Sequence, residues 1–96
     1  MLMAAANHVD VEARVGFAIV RTHRNGDTPR DYLRAFQIVG RDGLGHLGYG
    51  SRINAHVFDS RSEAEDVVRR LRRRAAIGAC DYVVEEVVEQ AGAYPG

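Results

Sequence analysis

One run of residues restricts the fold more than any other. Ala64, Val67, Val68, Leu71 and Ala75 recur at helical spacing and form a single apolar stripe. The run opens on Ser60-Arg61-Ser62-Glu63, a capping box in which serine hydroxyl and glutamate carboxylate satisfy each other's free amide groups. Glu63, Glu65 and Asp66 occupy the first turns; Arg69, Arg70, Arg72, Arg73 and Arg74 occupy the last. That order complements the helix dipole and sets Glu65 with Arg69, and Asp66 with Arg70, at favourable i,i+4 spacing. Gly78 is a natural stop. A helix with one apolar face needs a surface to bury it on, and the flanking segments supply a sheet.

Val15, Phe17 and Ile19 alternate with Ala18, Val20 and Thr22, which predicts a strand over 15–22 with two apolar faces, hence a central one. Asn25-Gly26-Asp27 marks a turn, extended by Pro29 into a long loop over 23–30. Residues 32–39 return as a strand. Period-two alternation puts Tyr32, Arg34, Phe36 and Ile38 on one face, and Leu33, Ala35 and Val39 on the other. The stretch holding Gly40, Gly43, Gly45, Gly48 and Gly50 reads as a flexible loop, in which Leu44, Leu47 and Tyr49 are the large apolar residues. Residues 53–58 read as a short third strand or an extended lead-in to the helix. Residues 82–88 form the last strand, where Glu85-Glu86 breaks the alternation and marks a bulge or an edge. The expected fold is α+β: a small antiparallel sheet of three to four strands with one helix packed on one face, in β-β-β-α-β order. Residues 1–13 are expected as a flexible lead, 14–89 as one domain and 90–96 as a flexible tail.

Ninety-six residues make one domain with a thin core, since a chain of this size buries only about 65% of its unfolded surface. Net charge is zero, so no global field draws the chain to nucleic acid or acidic lipid. All thirteen basic residues are arginine, whose planar fork pairs with carboxylate and phosphate. The apolar residues 1–6 are too short for a signal segment, and no stretch reaches membrane-spanning length. A single cysteine, Cys80, rules out an internal disulfide. These features lead to an expectation of a cytoplasmic protein with no membrane partner.

Several residue groups invite a chemical reading. Cys80 is either a reactive thiol or a small apolar residue at a helix-to-strand junction; no triad partner for it is evident in the sequence. His8, His23, His46 and His56 lack the spacing of a helical metal site, and no metal or cofactor is expected. Gly43-Leu44-Gly45-His46-Leu47-Gly48 matches a dinucleotide fingerprint as a string, but the helix that would cradle a pyrophosphate starts more than ten residues later. On the helix, Arg73 points away from the apolar stripe, Arg69 and Arg70 lie to either side of it, and Arg72 and Arg74 flank the stripe. This basic face suits phosphates or an acidic protein patch, or simply complements its own carboxylates. Arg69, Arg70, Arg72 and Arg73, with Tyr49 and Leu47 from the glycine stretch, are the predicted partner-binding residues. No catalytic set is expected, so the chain reads as a binder and not an enzyme.

The segment Ala55-His56-Val57-Phe58-Asp59-Ser60-Arg61-Ser62-Glu63-Ala64-Glu65 resembles a pattern in small accessory proteins of phages and prophages. Those proteins open on a strand like Phe17-Ala18-Ile19-Val20-Arg21, continue with one like Tyr32-Leu33-Arg34, and close on one like Val83-Val84-Glu85-Glu86-Val87. The long glycine stretch and the arginine-dense helix end depart from the pattern. The resemblance implies a stoichiometric inhibitor of host defence, of the anti-CRISPR kind, acting on a host protein or ribonucleoprotein complex as a monomer or homodimer. A nucleic-acid-binding module using the arginine face is the alternative. Val39-Gly40-Arg41 with the later Phe58 and Glu63-Ala64 is also similar to the Trp-Gly-Arg domain of DNA-damage proteins, with Val39 in place of the tryptophan.

Overall fold

The apolar alternation of the opening segment needs partners on both sides, and the chain provides them. The computed structural model describes residues 12–74 and 78–91, with side chains at 14–74 and 78–88. Of the expected lead (1–13) and tail (90–96), residues 1–11 and 92–96 lie outside these residues, as does Ala75 of the apolar stripe, whereas Glu12, Ala13, Gln90 and Ala91 belong to paired strands. Four strands, β1 (Glu12–His23), β2 (Asp31–Val39), β3 (Gly43–Gly50) and β4 (Cys80–Ala91), form one antiparallel sheet in the order β3-β2-β1-β4. One helix, α1 (Arg61–Arg74), packs on one face, so the chain has the small α+β fold its patterning predicts. Among the described residues no helix is long and apolar enough to cross a membrane.

β1 and β4 pair in unbroken register from Glu12↔Ala91 to His23↔Cys80. Glu85-Glu86 is therefore an edge feature and not a bulge. β1 meets β2 only at Val20↔Tyr32 and Arg21↔Asp31, after which the two strands part. Into the fork runs the extended lead-in to the helix. The His56 amide donates to the Leu33 carbonyl of β2 (2.9 Å), while Phe58 and Phe17 of β1 exchange backbone bonds of 2.7 and 3.0 Å. Residues 53–58 are thus no full strand: a single 3-10 turn (Arg52–Asn54) precedes this wedge.

Two expectations fail here. The glycine stretch is strand β3, paired with β2 from Tyr32↔Gly50 to Val39↔Gly43. Glycine has low strand propensity, but Leu44, buried at 7% exposure, and the part-buried Leu47 and Tyr49 supply the apolar contacts that hold the edge. The face assignment of β2 also fails. The β2–β3 register slips on either side of Ala35, so Leu33 and Phe36 both pack in the core beneath the helix. A bulge shifts side-chain parity, and period-two counting does not see it.

The main core joins Ile19, Leu33, Leu44, Phe58 and Tyr82 of the sheet side to Ala64, Val67, Val68 and Leu71 of α1. Ser60 Oγ accepts from the Glu63 amide (3.1 Å), which is one half of the expected capping box; the return bond from the Ser60 amide to the Glu63 carboxylate is not made among the described residues. On the opposite face Ala18, Val20 and Tyr32 form a second buried cluster against Ala55 and Val87. A polar strap crosses it: the Tyr32 hydroxyl donates to Glu85 Oε1 (3.0 Å), and Arg52 Nε donates to Glu85 Oε2 (3.0 Å).

Candidate functional site

The arginines of α1 are brought onto one helix, as their spacing demands, but most are spent within the fold. Arg72 donates to the Tyr82 carbonyl of β4 (3.0 Å) and Arg74 to the Leu44 carbonyl of β3. They flank the apolar stripe and tie it to strands on both sides. Arg70, read as an outer residue, turns inward with only 11% of its side chain exposed. It bonds Asp66 Oδ2 (3.0 Å) and the Gly43 carbonyl (3.1 Å), clamping the β2–β3 turn. The long arginine stem lets the guanidinium reach back over the backbone, which a helical wheel does not show. Arg69 and Arg73 do face outward, at 51% and 62% exposure, and both meet Asp42 (3.4 and 3.3 Å). Arg69 also pairs with Asp66, not with Glu65; Glu65 meets Arg61 instead (3.8 Å). These hydrogen bonds from Arg69, then Arg70, lower the pKa of the Asp66 carboxyl and raise that of Arg69.

Tyr49 and Leu47 both pack against the core. Arg21 lies 3.5 Å from the Tyr49 ring centroid and forms a two-pronged pair with Asp31 (2.9 and 2.7 Å). Burial, then a hydrogen bond with Tyr82, pushes the Tyr49 phenol above the usual tyrosine range. The predicted partner-binding residues therefore divide. Arg69 and Arg73 are surface groups, whereas Arg70, Arg72, Tyr49 and Leu47 are largely structural.

The sheet register also places His23 opposite Cys80, which sequence spacing could not show. Cys80 Sγ lies 3.6 Å from His23 Nδ1, and His23 Nε2 lies 3.8 Å from Asp31 Oδ1. A thiol, an imidazole and a carboxylate are thus in sequence across three strands. Arg21 already takes both oxygens of that carboxylate, which weakens Asp31 as a support for an imidazolium. Among the described residues no group of three or more His, Cys, Asp and Glu side chains is placed to hold a metal ion.

The fold also holds a concavity that no sequence pattern marks. Where β2 leaves β1, a groove of about 700 Å³ opens between the outer half of β2 and the first turns of α1. Its floor is aromatic. Phe36 and Phe58 stack at 5.6 Å between ring centroids, and His56 stands edge-on to them at 5.0 and 4.5 Å. Ile38, 46% exposed, and Val67 line the sides; Asp59, Glu63 and Asp66 line the helix rim. It forms because the β2 bulge turns Phe36 to the same side as Leu33 while the wedge holds the strands apart, and neither feature has a sequence signal.

Comparison of the chain with protein-family models, with curated proteins and with solved structures gives no match.

Proposed function

We propose that this chain is a binding protein of the phage accessory type, without catalysis of its own, which inhibits a host defence complex by stoichiometric contact. The observation that carries the reading is the aromatic-floored groove beside exposed Ile38 and Val57. A volume near 700 Å³ lies within the range of roughly 300–1,000 Å³ typical of ligand sites. A thin-cored domain gains nothing in stability from leaving apolar side chains uncovered there, whereas a partner's surface gains by covering them. The strand, strand, capped-helix, strand layout resembling phage inhibitors supports the class of partner: a host protein or ribonucleoprotein. The nucleic-acid alternative draws less support, because Arg69 and Arg73 share Asp42 and Arg70 is turned inward.

The test is affinity capture from host lysate with the parent chain and with Ile38→Glu, after both are shown to melt alike. The expected result is a host complex held at one-to-one stoichiometry by the parent and lost with Ile38→Glu, whose activity falls when the parent is added to the purified complex. Capture that ignores Ile38→Glu would remove the groove from the reading. Retention of nucleic acid alone would favour the alternative.

A further inference from the structure

The groove has a chemical polarity that narrows what fits it. Its floor and far wall are mainly apolar, made of Phe36, Phe58 and Ile38, with His56 the polar ring among them. Its near wall is the end of the lead-in and the first half of α1, which together offer three carboxylates, Asp59, Glu63 and Asp66. Asp66 is already taken, its two oxygens held by Arg69 and Arg70. Asp59 and Glu63 make no ion pair among the described residues. The arginine nearest in sequence does not serve them. Arg61 turns to Glu65 (3.8 Å) and lies 5.2 Å from the Phe17 ring centroid. No arginine lines the groove. The arginines of the helix are therefore compensated within the fold, as are Glu65 and Asp66, while Asp59 and Glu63 face an apolar trough without an ion-pair partner among the described residues.

We infer that this groove takes an arginine or lysine side chain from an extended peptide segment of the partner. The inference rests on the binding reading above and names the chemistry of what is bound. The aliphatic stem of such a residue lies over Ile38 and the phenyl rings, and its cationic tip reaches Asp59 and Glu63. An anion is disfavoured although a helix begins here. Ser60 Oγ already accepts from the Glu63 amide, and the two carboxylates repel negative charge. A wholly apolar segment is disfavoured as well, because covering the trough would strip water from Asp59 and Glu63 without replacing it.

Three acetylated pentapeptides test this, Gly-Leu-Xaa-Leu-Gly with arginine, glutamate or leucine at the centre, titrated against the full chain by fluorescence anisotropy and amide NMR. The arginine peptide is expected to bind with shifts gathered at Phe36, Ile38, Phe58 and Glu63. The glutamate peptide should bind at least tenfold more weakly. Asp59→Asn with Glu63→Gln, at two exposed positions and with the fold checked by the NMR spectrum, should weaken the arginine peptide about tenfold while the leucine peptide binds no more weakly than before. Equal binding of the arginine and glutamate peptides, shifts elsewhere, no shift at the solubility limit, or indifference to the double variant would each overturn the inference. The peptide titration needs no host partner. A captured complex sensitive to Ile38→Glu but indifferent to Asp59→Asn with Glu63→Gln would sink the cationic ligand and spare the binding function. Peptide binding with no captured complex would do the reverse.

Discussion

A β-carbon at Gly16 would lie 2.3 Å from Val57 Cγ1, so the wedge between β1 and β2 sits where only glycine lets it sit. The paired bonds between Phe17 and Phe58 draw Val57 onto β1 at this point. Gly16→Ala should therefore destabilise the fold by about 1–3 kcal/mol through overpacking. Val57→Ala in the same chain should restore part of the loss, because Val57 Cβ itself would be 3.8 Å away, an ordinary contact, while the Phe58 carbonyl oxygen stays close at 3.3 Å. Urea denaturation of the four chains in this cycle measures the coupling. A Gly16→Ala chain as stable as the parent would mean the wedge is not seated as described.

Arg70 and Arg73 are three residues apart on one helix, yet they should behave differently. Arg70 is 11% exposed and bonds Asp66 and the Gly43 carbonyl. Arg70→Ala should cost about 1–3 kcal/mol, because it leaves the Gly43 carbonyl and one of the two Asp66 oxygens without their donor. Arg73, 62% exposed with Asp42 as its ion-pair partner, should cost about 0.5 kcal/mol or less on the same substitution. Equal effects in denaturant titration would contradict the clamp.

The helix, its cap, the central position of β1 and the α+β class were legible because each depends on local pattern: a 3.6-residue stripe, a Ser-to-Glu spacing, an alternation apolar on both faces. β3 was not legible, because its glycines carry the composition of a loop and its strand character comes from pairing with β2 and from Leu44 joining the main core. Nor was the groove, which depends on a register slip beside Ala35 and on a fork between strands that pair at only two positions. Neither leaves a periodic trace. The arginine face was legible as a face but not as a set of bonds, because Asp42, Gly43 and Tyr82 lie far from it in sequence.

Tyr49 makes stability depend on alkaline pH. Burial, then the hydrogen bond with Tyr82, keeps the folded phenol protonated beyond the usual value of about 10 at which the unfolded chain releases it. Folding therefore retains a proton that unfolding gives up. The contribution is full below about pH 10 and declines as pH rises towards the higher folded value. Denaturant midpoints measured from neutral pH upward should fall above about pH 10, and less steeply in Tyr49→Phe. Absorbance titration should show one tyrosine ionising late and lost in that variant. Parallel midpoint curves for the two chains would place the phenol in water.

Glu85 and Glu86 are neighbours on an edge strand and should be unequal. Glu85 accepts from the Tyr32 hydroxyl (3.0 Å) and from Arg52, reaching across β1 over the second buried cluster, whereas Glu86 is on the other face and exposed. A hydrogen bond to a charged group contributes about 1.5–3 kcal/mol when shielded, and 28% exposure of the Glu85 side chain reduces this to about 1 kcal/mol. Glu85→Gln keeps the shape but loses the charge, and should cost about half as much as Glu85→Ala. Combining Glu85→Ala with Tyr32→Phe should cost less than the sum of the two, since each removes the same bond. Glu86→Ala should leave the melting transition unmoved, and strict additivity in the Glu85 and Tyr32 cycle would show that the strap contributes nothing.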